Sequence, residues 1–312
     1  MKKLDNKGVG DGRVSQKSLE AGWFAAWLCL RRAAQRFDPV LLLQLGSTGR
    51  EKIGPIQRLR CTIIVFQKPN WKFWLNGGAE LSMSLAGKGV IAIWQDLVPE
   101  FKDEYREWHN RQHVSERLSI PGFRRGRRFV AIEGGPEFYT LYEADQPEDV
   151  SGKAYLERLN APTEWTRRIM PAFRNMARSV CRVVYSEGVG EGGFMVTCRF
   201  AFPPANEAQL IAEVGCRLLP PLGDLPGIAG VHLCVADGSA SGIQTFEKTF
   251  RAADDVVAPC VVMIEGSSIA HIRAAGDRMR GSLGPLLDGE PIDLAIYQLE
   301  HASSNYSCRL HD

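Results

Sequence analysis

The chain has 312 residues, enough for one large domain or two of ordinary size. With 45% apolar residues it can bury a core, and its composition excludes a disordered chain. The net charge of +2 hides an asymmetry: residues 1–82 carry 14 Lys+Arg against 6 Asp+Glu, leaving 24 against 30 in the rest, so the larger part is acidic and nucleic acid is not expected as its partner.

The eight cysteines are scattered, with no C-x-x-C pair, and several sit in apolar runs such as "VTCRF" and "VHLCV". That usage fits a reducing cytoplasm rather than a disulfide framework. The most apolar N-terminal stretch is interrupted by Arg31, Arg32, Arg36 and Asp38. Each of these is costly at a bilayer centre, so no membrane span is expected. Residues 1–82 hold a plausible helix near 22–37 and a strand at "CTIIVFQ", but these do not build a domain. Two readings stand for this stretch. Met83 is the natural start and the preceding sequence is translated upstream DNA, or the stretch is a genuine, poorly structured extension.

From Gly89 onward the pattern is clean. "GVIAIWQDL" reads as a strand. The next run, "EFKDEYREWHNRQHVSERLSI", places Phe101, Tyr105, Trp108, Val114 and Leu118 at helical spacings, with acids early and bases late. Pro121-Gly122 stops it. "FRRGRRFVAIEG" and "EFYTLYEAD" are strands across a Gly-Gly-Pro turn. The segment from Ser151 to Met176 reads as helical with a break at Ala161-Pro162, and "ARSVCRVVYSE" as a strand. The order is βαββαβ, and it then repeats. "GGFMVTCRFAF", "GIAGVHLCVADG", "APCVVMIEG" and "IDLAIYQLE" are the strands of the second copy. "NEAQLIAEVGCRLLPPL" and "SIAHIRAAGDRMRGSLGPLL" are its helices. Ile120-Pro121-Gly122-Phe123 matches Leu225-Pro226-Gly227-Ile228, and "CRVVYS" matches "DLAIYQ". An internal duplication follows. Each βαββαβ unit is ferredoxin-like and leaves one sheet face uncovered. The predicted fold is therefore α+β: two tandem units, 83–190 and 191–312, closing sheet to sheet as a single-chain dimeric α+β barrel. The space between the sheets is the expected ligand pocket.

The runs "YREWHNRQHVSERLSIPGFRRGRRF", "YTLYEAD" and "PTEWTRRIMPAFRNMARSVCRVV" resemble bacterial EthD-like proteins of the dimeric α+β barrel superfamily, which share a helix ending in H-x-x-E-R, then P-G-F and an Arg-Arg strand. The resemblance covers about residues 88–188. The superfamily includes muconolactone isomerases, cofactor-free monooxygenases, polyketide cyclases and haem-binding relatives. The resemblance therefore implies the fold more than the reaction.

His113 is the leading candidate for proton exchange near neutral pH. Glu116 lies three residues on and Arg117 four, so a carboxylate-held imidazole beside a guanidinium could deprotonate a carbon acid and stabilise the enolate. The competing reading is a helix-end His⁺ favoured by the macrodipole. His109, His113 and Glu116 share a metal-like spacing, but the Glu of H-E-x-x-H is missing, so no metal is expected. Alternation with the second copy places Phe123, Arg125, Arg127 and Phe129 on the barrel side, and opposite them Ile228, Gly230, His232, Cys234 and Ala236. Arg125, Arg127 and His232 are then candidate anion anchors, the alternatives being an internal ion pair or a one-residue shift of register that brings Arg124 and Arg128 inward instead. Trp94, Tyr139, Tyr142 and Trp165 form the aromatic set. Trp94, Tyr142 and Trp165 are candidate pocket walls, and Trp165 a candidate cap. His271 and His301 read as surface residues.

These expectations combine into a cofactor-independent isomerase, lyase or cyclase acting on a small apolar or aromatic-derived anion, as in the catabolism of aromatic compounds. His113 and Glu116 would be catalytic. The expected partner is a small-molecule substrate, with a homodimer possible. The competitors are a non-catalytic binding or accessory protein using the same cavity, and a haem-dependent relative.

Overall fold

The computed structural model describes residues 84–251 and 255–305. The expectations for residues 1–82, including a start at Met83, lie outside the described residues. Strand β1 is Gly89–Leu97. Helix α1 comprises Lys102–Trp108, a π-helical turn His109–His113, and Val114–Leu118. Strands β2 (Phe123–Glu133) and β3 (Phe138–Ala144) follow, then helices α2 (Lys153–Asn160) and α3 (Glu164–Ile169), then β4 (Phe173–Gly188). The second unit contains β5 (Phe194–Phe200) and helix α4, made of Glu207–Glu213, a π turn Val214–Leu218, and Leu219–Gly223. Strand β6 (Ile228–Ala236) leads into a long connection with a short helix α5 (Gly238–Gly242) and a 3-10 turn Glu247–Phe250. Strand β7 (Cys260–Gly266), helix α6 (Ile269–Leu283) and strand β8 (Asp293–Ser304) complete it.

All eight strands form one closed antiparallel barrel in the order β1-β3-β2-β8-β5-β7-β6-β4. Within it β4-β1-β3-β2 is one ferredoxin-like sheet and β8-β5-β7-β6 is the other. The seams are β2 with β8 and β4 with β6. Closure leaves no unpaired sheet edge. This is the dimeric α+β barrel built from tandem ferredoxin-like units in one chain. Among the described residues, no helix is long and apolar enough to cross a membrane.

The local signals are conventional. Asp103 and Glu104 stand at the positive start of α1. The Thr163 hydroxyl accepts from the Thr166 N–H at the start of α3, and the Ser268 hydroxyl caps α6. Gly122 and Gly227, one in each copy, have φ of +90° and +76°, so the two Pro-Gly corners need glycine for the same reason. One boundary differs from expectation. Residues 173–176 begin β4 rather than end the preceding helix, because Pro171 breaks the helix at a 3-10 turn.

The duplication extends to a defect. Both first helices carry a π turn, at 109–113 and at 214–218. A π turn inserts one residue into a helix. In α1 the buried positions run 105, 108, 109, then 113, 114, 117, 118. An uninterrupted α-helix would have presented 112 and 116 instead. The slip turns Arg117 inward.

The barrel interior is a packed core. All eight strands contribute to it, with Trp94, Phe129, Tyr139, Cys181, Met195, Cys234, Met263 and Tyr297 among its members. Trp94 stacks on Tyr139 at 5.0 Å, and its indole N–H donates to the Thr197 hydroxyl at 3.2 Å. Large side chains fill the middle of the space between the sheets, and a cavity of about 730 Å³ opens at one end of the barrel, lined from both units by Asp96, Ala177, Arg199, Ala258 and Asp293. Alternation places Arg125, Arg127 and Phe129 inside the barrel, as expected. Phe123 and Ile228 are corrections. Register shifts at Phe123/Arg125 and at Ile228/Gly230 rotate both residues to the helix side.

Candidate functional site

Two clusters of buried polar side chains stand out, one inside the barrel and one beneath the helices of the first unit. The interior cluster is self-contained. Both terminal nitrogens of Arg127 donate to Glu265, at 2.7 and 2.9 Å, and its Nε donates to Glu143 at 3.0 Å. Arg125 donates twice to Glu143, at 2.9 and 2.6 Å, and also pairs with Glu191. Glu265 lies 3.4 Å from the His232 ring, whose other nitrogen meets the Ser186 hydroxyl at 2.9 Å. Burial works against the Glu265 charge, but Arg127 and His232 hold its carboxyl well below the ordinary range. Burial likewise opposes the Arg127 charge, and Glu143 with Glu265 raises its pKa above the ordinary arginine value. The chain itself thus supplies the anions for Arg125 and Arg127. A substrate carboxylate would have to break these pairs, so the anchoring role expected of Arg125, Arg127 and His232 gives way to the internal-pair alternative.

The second cluster lies on the opposite face of the first sheet, between β1, β3 and α1, and the segment 245–251 of the second unit covers it. Two small adjoining cavities open there, of about 30 and 20 Å³, each with room for about one water. Ile93, His113, Tyr142, Glu247 and Arg251 line both. The first chamber is aromatic and polar, with Tyr105, Trp108, His109, Thr140 and Phe173. The second is cationic, with Arg117, Arg178 and Lys248 beside Tyr155 and Thr245.

The π turn sets the imidazoles in place. The His113 ring lies 4.1 Å from the Trp108 ring and 5.6 Å from that of His109. The Tyr142 hydroxyl meets the His109 ring at 3.2 Å. Burial, then Arg128, lowers the His109 pKa well below the ordinary histidine value. Burial, then Arg117, does the same for His113. Both imidazoles are therefore neutral at pH 7. Burial raises the Tyr105 hydroxyl to about 12, and it raises Tyr142 well above its ordinary value. Arg117 bonds Glu247 at 2.6 Å, and both are almost fully buried.

Among the described residues, five buried polar atoms at these chambers lack a protein partner, His109 Nδ1, His113 Nδ1, Arg117 Nη1, Thr245 Oγ1 and Arg251 Nε, while the Thr140 hydroxyl bears on that of Tyr105. Each such atom costs about 1–3 kcal/mol when nothing satisfies it. Their concentration at one place is the signature of a site that takes a polar guest. Among the described residues, no cluster of three or more metal-ligating side chains exists.

The remaining sequence candidates are dispersed. Glu116 turns to Arg158 at 3.5 Å, away from the role of imidazole partner. Trp94 is inside the barrel. Trp165 is half-buried, donates to Glu104 at 3.0 Å, and packs on the cluster around Tyr105 and Phe173 rather than capping the cavity. Tyr142 does line both chambers. His301, expected at the surface, is half-buried, with its Nε2 sealed and unpartnered, and Arg128 bears on it. His271 is exposed, on Ser268. Sequence reasoning missed Arg178, Glu247 and Arg251. Glu247 and Arg251 sit in a loop without period, and Arg178 in a strand whose buried face the sequence does not announce.

The strand order, not similarity, carries the fold assignment. No protein-family model matches the chain, and no curated protein does. Among solved structures, a putative monooxygenase from Fusobacterium nucleatum is 10% identical, with 71% of this chain and 96% of that one covered at a TM-score of 0.47. An anthrone oxidase-like protein is 14% identical, covering 69% and 92% at 0.47. A putative chlorite dismutase is 14% identical, covering 69% and 95% at 0.41.

Proposed function

We propose that the protein is a small-molecule enzyme that performs cofactor-independent proton transfer in the chambers beneath α1 and the segment 245–251. The observation that carries this reading is the set of five buried polar atoms, from His109, His113, Arg117, Thr245 and Arg251, that lack a partner among the described residues around one enclosed place. The EthD-like resemblance of residues 88–188 accords with it. His113, neutral and at the junction of both chambers, takes a proton from a carbon acid. Arg117 and the Tyr142 hydroxyl stabilise the enolate that forms. Trp108, Tyr105 and Phe173 give the first chamber aromatic walls, and a flat body larger than a water enters between them only as the covering segment 245–251 moves off. Isomerisation, elimination or cyclisation of an aromatic-derived anion fits this equipment. A haem macrocycle does not fit chambers of this size, and no step is routed through one.

A second reading, a non-catalytic carrier in the same cavity, is favoured by one observation: Glu247 already occupies Arg117. The test is a thermal-shift screen of carboxylates, lactones and phenols with wild type and His113→Ala. A ligand at about 100 times its Kd adds about 2.7 kcal/mol of stability. The enzyme reading expects hits that bind both proteins and are turned over only by wild type. Binding without turnover by either supports the carrier, and no binding by any class removes both.

A further inference from the structure

The cavity of about 730 Å³ at the end of the barrel opens where β1 and β5 finish and β4, β7 and β8 begin. That volume lies within the range of small-molecule sites. Met176 and Ala177 of the first unit and Ala201, Val256 and Ala258 of the second give it apolar walls. Small side chains stand here, whereas Trp94, Tyr139 and Tyr297 fill the middle of the barrel, and the space at the end stays open for that reason.

The charges around the cavity are of one sign in excess. Asp96, Glu290 and Asp293 line it, with Arg199 as the one basic residue among its walls. Arg199 lies over the Trp94 ring at 4.8 Å and pairs with Asp293, so its charge is already met. Asp96 is held instead by neutral donors, the Asn175 amide at 2.8 Å and the Glu137 N–H at 2.7 Å. Asn175 does this from left-handed backbone, with φ of +49°, a conformation asparagine adopts more readily than most residues. Arg174, opposite Asp96 in the β1–β4 ladder, donates to the carbonyls of Pro171 and Phe173. Among the described residues, no arginine, lysine or histidine pairs with Asp96 or Glu290. Two unmatched carboxylates beside apolar walls attract a cation with an apolar body and repel an anion.

We propose that this cavity is a second ligand site, for an amine carried on an apolar body. Asp96 and Glu290, one from each unit, receive the ammonium group, and the apolar walls take the body. The site does not depend on the proton-transfer reading, and Met176 is the one residue it shares with the chambers beneath α1.

The test is calorimetric titration of the full chain with 4-phenylbutylamine, 4-phenylbutanol and 4-phenylbutyrate, which share a body and differ in head group. The amine should bind wild type about tenfold tighter than the alcohol, and the butyrate weakest of the three. Asp96→Asn and Glu290→Gln should each weaken the amine about threefold and leave the alcohol within about twofold of wild type, as befits partly exposed charges. Glu290 is exposed, so its variant decides the matter if Asp96→Asn does not fold. Equal affinity for the three probes, or an amine affinity that neither variant changes, overturns the assignment, and so does the absence of binding. Amine binding that both variants spare and that shifts the His109 and His113 ring signals places the amine beneath α1 and overturns it as well.

Discussion

An imidazole sealed against Trp108 and Tyr142, with Arg117 and Arg251 bearing on it, is held neutral, and only an anion beside it would favour its protonated form. His113 and His109 share that condition, and it has a measurable sign. Their folded pKa values lie well below 6.5, so below pH 6.5 the unfolded chain binds protons that the folded chain refuses. Their contribution to stability is complete above about pH 6.5 and is lost as pH falls toward the folded values, at about 1.4 kcal/mol per pH unit for each histidine. Urea midpoints at pH 7.5, 6.5 and 5.5 check this. Wild type should lose stability across that window faster than a variant with His109→Gln and His113→Gln, and parallel curves would refute it. The other buried charge acts through packing. Arg127→Leu leaves Glu143 and Glu265 without their shared guanidinium inside the barrel. It should cost about 3–5 kcal/mol in denaturant unfolding. A loss below 1 kcal/mol would mean that the interior cluster relaxes freely.

At the scale of elements, the π turn in α1 is what sequence periodicity could not deliver. Helical spacing correctly marks Tyr105, Trp108, Val114 and Leu118 as buried, yet those four positions do not fit one unbroken α-helix, and that misfit was the available signal. The strand faces were legible where alternation is regular, as at Arg125, Arg127 and His232. They were misread at Phe123 and Ile228, where a bulge follows each Pro-Gly corner. Which face carries the ligand was not legible, because β1 and β3 are buried on both sides. The chemistry of α1 was visible in its histidines. Its partner Glu247 was not, since nothing local in a loop reports a contact 130 residues away. The π turn gives its own test. Deleting exposed Arg111 should leave a cooperatively folding protein that no longer binds site ligands, because the spacing of His109 and His113 changes. Deleting the equivalent Cys216 in α4 should leave binding intact. Retained binding in the first variant would remove the π turn from the site.

Over the whole molecule the two units have diverged in role. Positions equivalent to His109, His113 and Arg117 are Val214, Leu218 and Leu222, and these join an apolar core in which Ile264 stands where Tyr142 does. The second unit has the π turn without the histidines and the arginine. In exchange it supplies the long connection whose Thr245, Glu247 and Arg251 close the site of the first. The short Gly134–Pro136 turn of the first unit has no such extension. On the proposed reading the first unit supplies the catalytic groups and the second their cover, and both β seams hold the two units in register.

The proposed site places the ligand beneath α1, outside the barrel. The six histidines report on it directly, because His109 and His113 stand at the proposed site and His232 inside the barrel. Imidazole resonances, assigned by single His→Gln variants, would be followed while a bound carboxylate, lactone or phenol is titrated in. The His109 and His113 signals should shift together with saturation while His232 stays fixed. A shift confined to His232 would place the ligand between the sheets and contradict the claim.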